Sequence, residues 1–188
     1  MSDDPYLDPN SQVLRNKLAI RNPTYLDYVE REFVTQRLSE GCPTGDFDLT
    51  HLRAIHRHLF QDIYAWAGEV RTVEIAKDGS QFQPRSFIET GMADIHNRLK
   101  AASYLQDLTR QDFAAQAGQI LGDVNYVHPF REGNGRTQAE YLRQLGERAG
   151  YVVDLAGIEG ERWLAASKTA HLGDYALMAA EILRVIRP

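Results

Sequence analysis

The chain has 188 residues, 43% hydrophobic and 25% charged, with 21 Lys and Arg against 26 Asp and Glu and a net charge of −5. This suits one compact domain and excludes disorder, a fibrous repeat and the basic stripe of a nucleic-acid surface, so no direct nucleic-acid binding is expected. Cys42 is the only cysteine, which rules out an internal disulfide and a cysteine-built zinc site. No stretch reaches the ~18 apolar residues of a membrane span, so no membrane association is expected and a reducing cytoplasm is the simplest compartment.

Apolar residues recur at helical spacing along most of the chain, which predicts a mainly α protein. Thr24 and Asp27 form a capping pattern that opens a first helix with Tyr25, Val29 and Phe33 on one face. Asp48 caps a second, with Leu52, Ile55 and Leu59 as its buried stripe. Ser86 begins a third, running to about Tyr104. Thr109 and Asp112 repeat the capping pattern before Phe113, Ile120, Leu121 and Val124. Gly150 stands where a glycine stops a helix. Asp174 caps the last helix, which turns Tyr175, Met178, Ile182 and Val185 inward.

One segment breaks this rhythm. Glu69 to Glu74 carries Val70, Thr72 and Val73, and Asp78-Gly79 is a hairpin-turn signal ahead of Phe82. A lone hairpin is marginal and must lean on helices. It serves either as a packing ornament or as an exposed edge that pairs with an extended peptide.

The chemistry concentrates in His128-Pro129-Phe130-Arg131-Glu132-Gly133-Asn134-Gly135-Arg136, between two helical stretches. Gly133-Asn134-Gly135 lets successive N–H groups point into one concavity, and a helix starting near Arg136 adds its free N–H groups. Arg136 suits phosphate oxygens, and a guanidinium at a helix N-terminus opposes the dipole unless an anion is bound. Glu132 beside a phosphate would repel it without an intervening cation, and Mg²⁺ takes such a mixed ligand set. His128 is the proton acceptor of the string. Phe130 is expected to anchor the loop in the core and Pro129 to stiffen it. His51, His56, His58, His96 and His171 are read as structural.

This string resembles the signature of the Fic (filamentation induced by cAMP) family. The likeness extends to Pro9–Leu18 and to Trp66-Ala67-Gly68-Glu69-Val70-Arg71-Thr72 with Lys77 and Phe82, which are similar to the opening and target-docking flap of stand-alone Fic proteins. The resemblance implies a single domain over 1–188, a Fic-type helical bundle with a small β-hairpin flap at 69–83, an active-site loop at 128–136 and a flexible N-terminus of about ten residues. It implies a bacterial protein adenylyltransferase that moves AMP from ATP to a Ser, Thr or Tyr hydroxyl. In that reading His128 is the base, Glu132 holds Mg²⁺, and Gly133, Asn134, Gly135 and Arg136 bind the nucleotide. Ile75 and Lys77 align the target.

The family pattern continues Gly-Arg-x-x-Arg, whereas here the run is Arg136-Thr137-Gln138-Ala139-Glu140. Ala139 removes the contact usual for the γ-phosphate, and Glu140 adds a nearby negative charge. Three readings follow: slower AMP transfer, a different nucleotide donor, or a weakly active fold that works as a binding module. No glutamate has Ser or Thr four residues before it together with Gly or Asn after it, the inhibitory pattern of many Fic proteins. The resemblance then implies the toxin of a toxin–antitoxin pair, with a small antitoxin supplying the inhibitory helix in trans, and type IIA topoisomerases as targets.

Overall fold

A computed structural model describes residues 4–187 apart from Gln12 and residues 78–79. Helices dominate: α1 (Pro23–Glu40), α2 (Leu49–Phe60), α3 (Ile88–Ala101), α4 (Arg110–Val127), α5 (Asn134–Arg148), α6 (Gly160–His171) and α7 (Ala176–Val185). Two short antiparallel ladders accompany them. In β1 (Ala76–Lys77) and β2 (Ser80–Gln81), Ala76 pairs with Gln81 and Lys77 with Ser80. A second pair, β3 (Val152–Val153) with β4 (Ile186–Arg187), ties the end of α7 to the segment after α5 and was not anticipated.

Helix α4 is the axis of the bundle. Its capping box forms as expected, with Thr109 Oγ1 accepting from Asp112 N at 3.2 Å. Phe113, Ile120, Leu121 and Val124 are buried. Gly118 and Gly122 let α7 and α6 close on it: a Cβ at 118 would stand 2.9 Å from Ala179 N, and one at 122 would meet Tyr175 at 2.6 Å and Ala170 at 2.9 Å. Helix α2 also follows its pattern, with Asp48 accepting from His51 N at 2.7 Å and Leu52, Ile55 and Leu59 buried.

Five expectations need correction, and the first is the start of α7: its N-cap is Tyr175, so Asp174 stands one residue before the cap, with its Oδ1 accepting from Ala176 N at 3.0 Å. Helix α1 is capped by Asn22, whose Oδ1 accepts from Tyr25 N at 2.9 Å, because Pro23 with its fixed φ occupies the first turn. Its buried stripe is Leu26, Glu30 and Val34, one residue on from the predicted face, and Tyr25 is 56% exposed. Helix α3 stops at Ala101, since Ser103, Tyr104 and Leu105 all take positive φ. Residues 69–75 are irregular and not a strand, with Val73 O taken by the Arg71 guanidinium instead of a neighbouring strand; the turn at Asp78-Gly79 lies outside the described residues. The N-terminal segment is packed from Asp4 onward: Tyr6 is buried against Trp66 with ring centroids 5.3 Å apart, and Leu7 bridges Leu14.

Candidate active site

The last turn of α4 delivers the chain to His128, whose N–H reaches Val124 O at 3.0 Å while its backbone turns left-handed at φ 46° and ψ 63°. Non-glycine residues rarely adopt this conformation. Pro129 then prevents the helix from continuing. His128 Nδ1 lies 3.0 Å from Asn125 O. A carbonyl only accepts, so Nδ1 carries the proton and Nε2 keeps its lone pair. The Phe82 ring of the flap stacks on the imidazole at 3.7 Å. Burial, reinforced by the cations of Arg71 and Lys77, lowers the His128 pKa to about 4 against the opposing Asn125 carbonyl. The imidazole is therefore a neutral acceptor at physiological pH.

His56 is also neutral, held at about 4 chiefly by burial. Its Nδ1 accepts from Gly68 N at 2.8 Å, and its Nε2–H donates to Glu132 O at 3.0 Å. Phe130 is fully buried and stacks on His56 at 3.9 Å, as its predicted anchoring role requires. Both histidines have folded pKa values below the ordinary 6.5, so the unfolded chain binds more protons between pH 6.5 and 4. Stability is then complete above 6.5 and falls as the pH drops toward 4, by about 1.4 kcal/mol per pH unit for each such proton. Urea midpoints at pH 7, 6 and 5 should decline; equal midpoints would mean the two rings are not held neutral.

Helix α5 begins at Asn134, two residues before the predicted start. Only Gly133 within the Gly133-Asn134-Gly135 run is left-handed, at φ 81°, and a Cβ there would stand 2.4 Å from the Phe60 ring. Asn134 is a clamp: its Oδ1 accepts from Phe130 N at 3.0 Å and its Nδ2 donates to Phe130 O at 2.8 Å. This fixes the loop so that the free N–H groups of the first turn of α5 form the anion-attracting end. Gly135 has open space around its Cα and lines the adjoining cavity. Arg136 follows in the same turn.

Arg136 is held from below. Its Nη2 pairs with Glu30, a residue of α1 that is only 5% exposed, and lies 3.6 Å from Glu132 Oε1. Its guanidinium sits 4.9 Å over the Phe60 ring, and the buried Tyr64 hydroxyl donates to Glu30. A carboxylate this deep is tolerated only when paired and hydrogen-bonded. Replacing Glu30 by Gln removes the pair and is expected to cost about 2 kcal/mol, discounted because Arg136 is partly solvated. Urea denaturation reads this directly, and a loss below a few tenths would show the pair to be incidental.

Arg71, fully buried, joins the flap to the catalytic loop. Its Nε donates to His128 O and its Nη1 to Val73 O, both at 2.8 Å, while Nη2 serves Gln83 O and, at 3.4 Å, Val127 O. Its backbone N–H adds a bond to Pro129 O at 2.9 Å.

These elements enclose a cavity of about 820 Å³. His128, Glu132, Asn134, Gly135 and Gln138 line it on the motif side, with Ile75 and Lys77 on the flap side. Helix α6 adds Trp163, Ser167 and His171 to the lining, the His171 ring standing 5.6 Å from Phe82 of the flap. Every predicted site residue except Gly133 and Arg136 thus borders one space, and those two lie against Phe60 just beneath it. Glu140, expected to burden the phosphate site, is buried and turned to Arg143, with two contacts of 2.8 Å. Burial and the Glu140 carboxylate push the Cys42 thiol up to about 12, away from the thiolate form. No cluster of three or more His, Cys, Asp or Glu side chains suited to a metal occurs among the described residues. The Glu132 carboxylate alone fits a cation that arrives with phosphate oxygens.

Sequence reasoning missed Glu30, Arg71, Gln138, Asn125 and the α6 wall. Glu30 carried a signal, because it interrupts the apolar i, i+4, i+8 stripe of Leu26 and Val34. His171, read as structural, packs its ring against Phe82 and Tyr126 and also lines the cavity.

A neutral histidine, a carboxylate and a helix N-terminus face one cavity on a helical bundle, an arrangement chemically suited to holding a phosphate group. Residues 46–145 match the Fic/DOC family, and the chain belongs to it. Over 97% of its length it is 40% identical to the protein adenylyltransferase VbhT of Bartonella schoenbuchensis, of which it spans 39%. It is also 40% identical, over 98% of its length and 96% of the relative's, to the probable protein adenylyltransferase y4lH of Sinorhizobium fredii. The N-terminal Fic domain of a Bartonella quintana effector with bound ADP superposes with a TM-score of 0.86 at 32% identity, covering 97% of this chain and 94% of that one. The mainly helical bundle with its small flap is the Fic fold.

Proposed function

We propose that this protein is an adenylyltransferase that moves AMP from ATP to a hydroxyl of a protein target. The observation that carries the reading is His128, with Nδ1 committed to Asn125 O and Nε2 left as a base beside the cavity that Glu132 and Gly135 also line. Its support from relatives is the activity named for VbhT and y4lH and the ADP in the Bartonella quintana domain.

In this mechanism the N–H groups at the start of α5 hold the polyphosphate, and Arg136, kept in place by Glu30, supplies positive charge at its edge. Nε2 of His128 takes the proton of the target hydroxyl as its oxygen bonds to the α-phosphorus. The bond from that phosphorus to the bridging oxygen breaks, and pyrophosphate departs with the electron pair. Mg²⁺, when bound through Glu132 and phosphate oxygens, would neutralise charge that builds on the leaving group. Positioning and charge stabilisation carry most of such a transfer. The exposed β1 edge, with Ile75 and Lys77, would align the target segment by main-chain pairing.

The regulatory reading is a toxin restrained by an inhibitory helix from a small antitoxin, with type IIA topoisomerase subunits as candidate targets. It rests on resemblance and on the inhibitory pattern missing from the sequence.

The test incubates the protein with bacterial lysate, Mg²⁺ and ATP labelled at either the α or the γ phosphate. Label entering protein from the α position alone is expected. Label from γ would indicate kinase-like transfer. Labelling only with another nucleotide would point to a different donor, and no labelling to a binding module.

A further inference from the structure

Three buried carboxamides line the cavity: Asn125, Asn134 and Gln138, each 9% exposed or less. Two are satisfied by the protein. Asn134 is spent on Phe130, and Asn125 Nδ2 donates to Ser167 O at 3.4 Å. Gln138 differs, because its Nε2 is buried with no hydrogen-bond partner among the described residues. Ser11, Trp66 and His96 also hold such an orphaned atom, but none of these lines the cavity. Proteins rarely leave a buried donor unpaired, and when one borders a ligand space its partner is expected to come with the ligand.

The direction of the side chain narrows that ligand. Helical side chains lean toward the N-terminus of their helix, so a residue covers the turn before its own Cα. Gln138 therefore reaches back over Asn134 and Gly135, where the first free N–H groups of α5 gather. An arginine at 139 would project about 100° further round the helix, so Gln138 is a separate contact and no stand-in for Ala139.

We propose that Gln138 is a phosphate-binding residue whose carboxamide turns when the nucleotide binds, bringing its buried Nε2–H onto a phosphate oxygen and completing the cradle at the start of α5. This rests on the nucleotide-donor reading above. The carboxamide adds a neutral donor without adding charge, beside an arginine already paired with two carboxylates.

Calorimetric titration of the full chain with α,β-methylene-ATP and Mg²⁺, AMP and adenosine tests this, comparing wild type, Gln138→Leu and Gln138→Glu. Leucine keeps the volume and removes the donor. It should weaken α,β-methylene-ATP binding roughly ten- to a hundredfold and leave adenosine unchanged. Glutamate should weaken the charged ligands further by repulsion. The melting temperature of Gln138→Leu should not drop, since the apo protein loses no hydrogen bond; a large drop would mark Gln138 as structural and overturn the proposal. Equal affinity of wild type and Gln138→Leu for α,β-methylene-ATP would also overturn it, as would an equal loss for adenosine. If wild type binds none of the three ligands, the nucleotide-donor reading itself fails.

Discussion

His128→Ala is expected to lower AMP transfer by about three orders of magnitude, in line with the loss of a positioned general base, while nucleotide affinity stays within about twofold. Nδ1 is committed to Asn125 O, so a single lone pair, on Nε2, is available for a hydroxyl proton. Other candidates near the cavity are occupied. Glu132 Oε1 accepts from Gly133 N at 2.9 Å and faces Arg136, and the His171 ring, packed against Phe82 and Tyr126, lacks among the described residues the Nδ1–carbonyl bond that fixes the tautomer of His128. Electrostatics sets the pH dependence. With a pKa near 4, the base is competent throughout the neutral range, so kcat/KM should be flat from about pH 5.5 to 8 and decline only below it. A histidine in water would show an inflection near 6.5. Radiolabel transfer measured across pH checks both points. Activity above a tenth of wild type in His128→Ala would place the base elsewhere.

Arg71→Ala should be the most damaging substitution away from the reacting groups, costing about 3–5 kcal/mol of stability. Its side chain has no exposed surface, and its guanidinium satisfies the carbonyls of Val73, Gln83, Val127 and His128. Removing it leaves four acceptors facing a void, and the lost volume adds a cavity cost. Lysine at 71 should recover only part, because a compact ammonium cannot span four carbonyls on two segments. The damage should also reach chemistry. Arg71 links the flap to the backbone of His128, so amide exchange should rise together in residues 73–77 and 80–83 and in Val127 and His128. A stability loss below about 1 kcal/mol, or exchange changes confined to the flap, would show that the link carries little.

Much of the molecule was legible in contiguous residues. The caps at Asp48 and Thr109 and the stripe of α4 followed from periodicities that a helix imposes on its own sequence. The His128–Arg136 loop was readable for the same reason: within nine residues, Phe130 and Asn134 bind each other and Gly133 turns where no Cβ fits. Helix α1 shows how narrow the margin is, since Pro23 shifted the N-cap to Asn22 and the buried face moved by one residue. Tertiary structure alone decided the rest. Glu30 reaches Tyr64 34 positions away and Arg71 reaches His128 57 positions away, pairings set by how helices cross and not by any local pattern. The same holds for Gln138, whose orphaned amide means something only once α6 and the flap close a cavity over it. Local sequence determined which groups are present and which helix ends carry them. Packing determined which buried charge holds Arg136, which guanidinium holds the flap, and which donor is left waiting for a ligand, because burial is a property of the assembled fold.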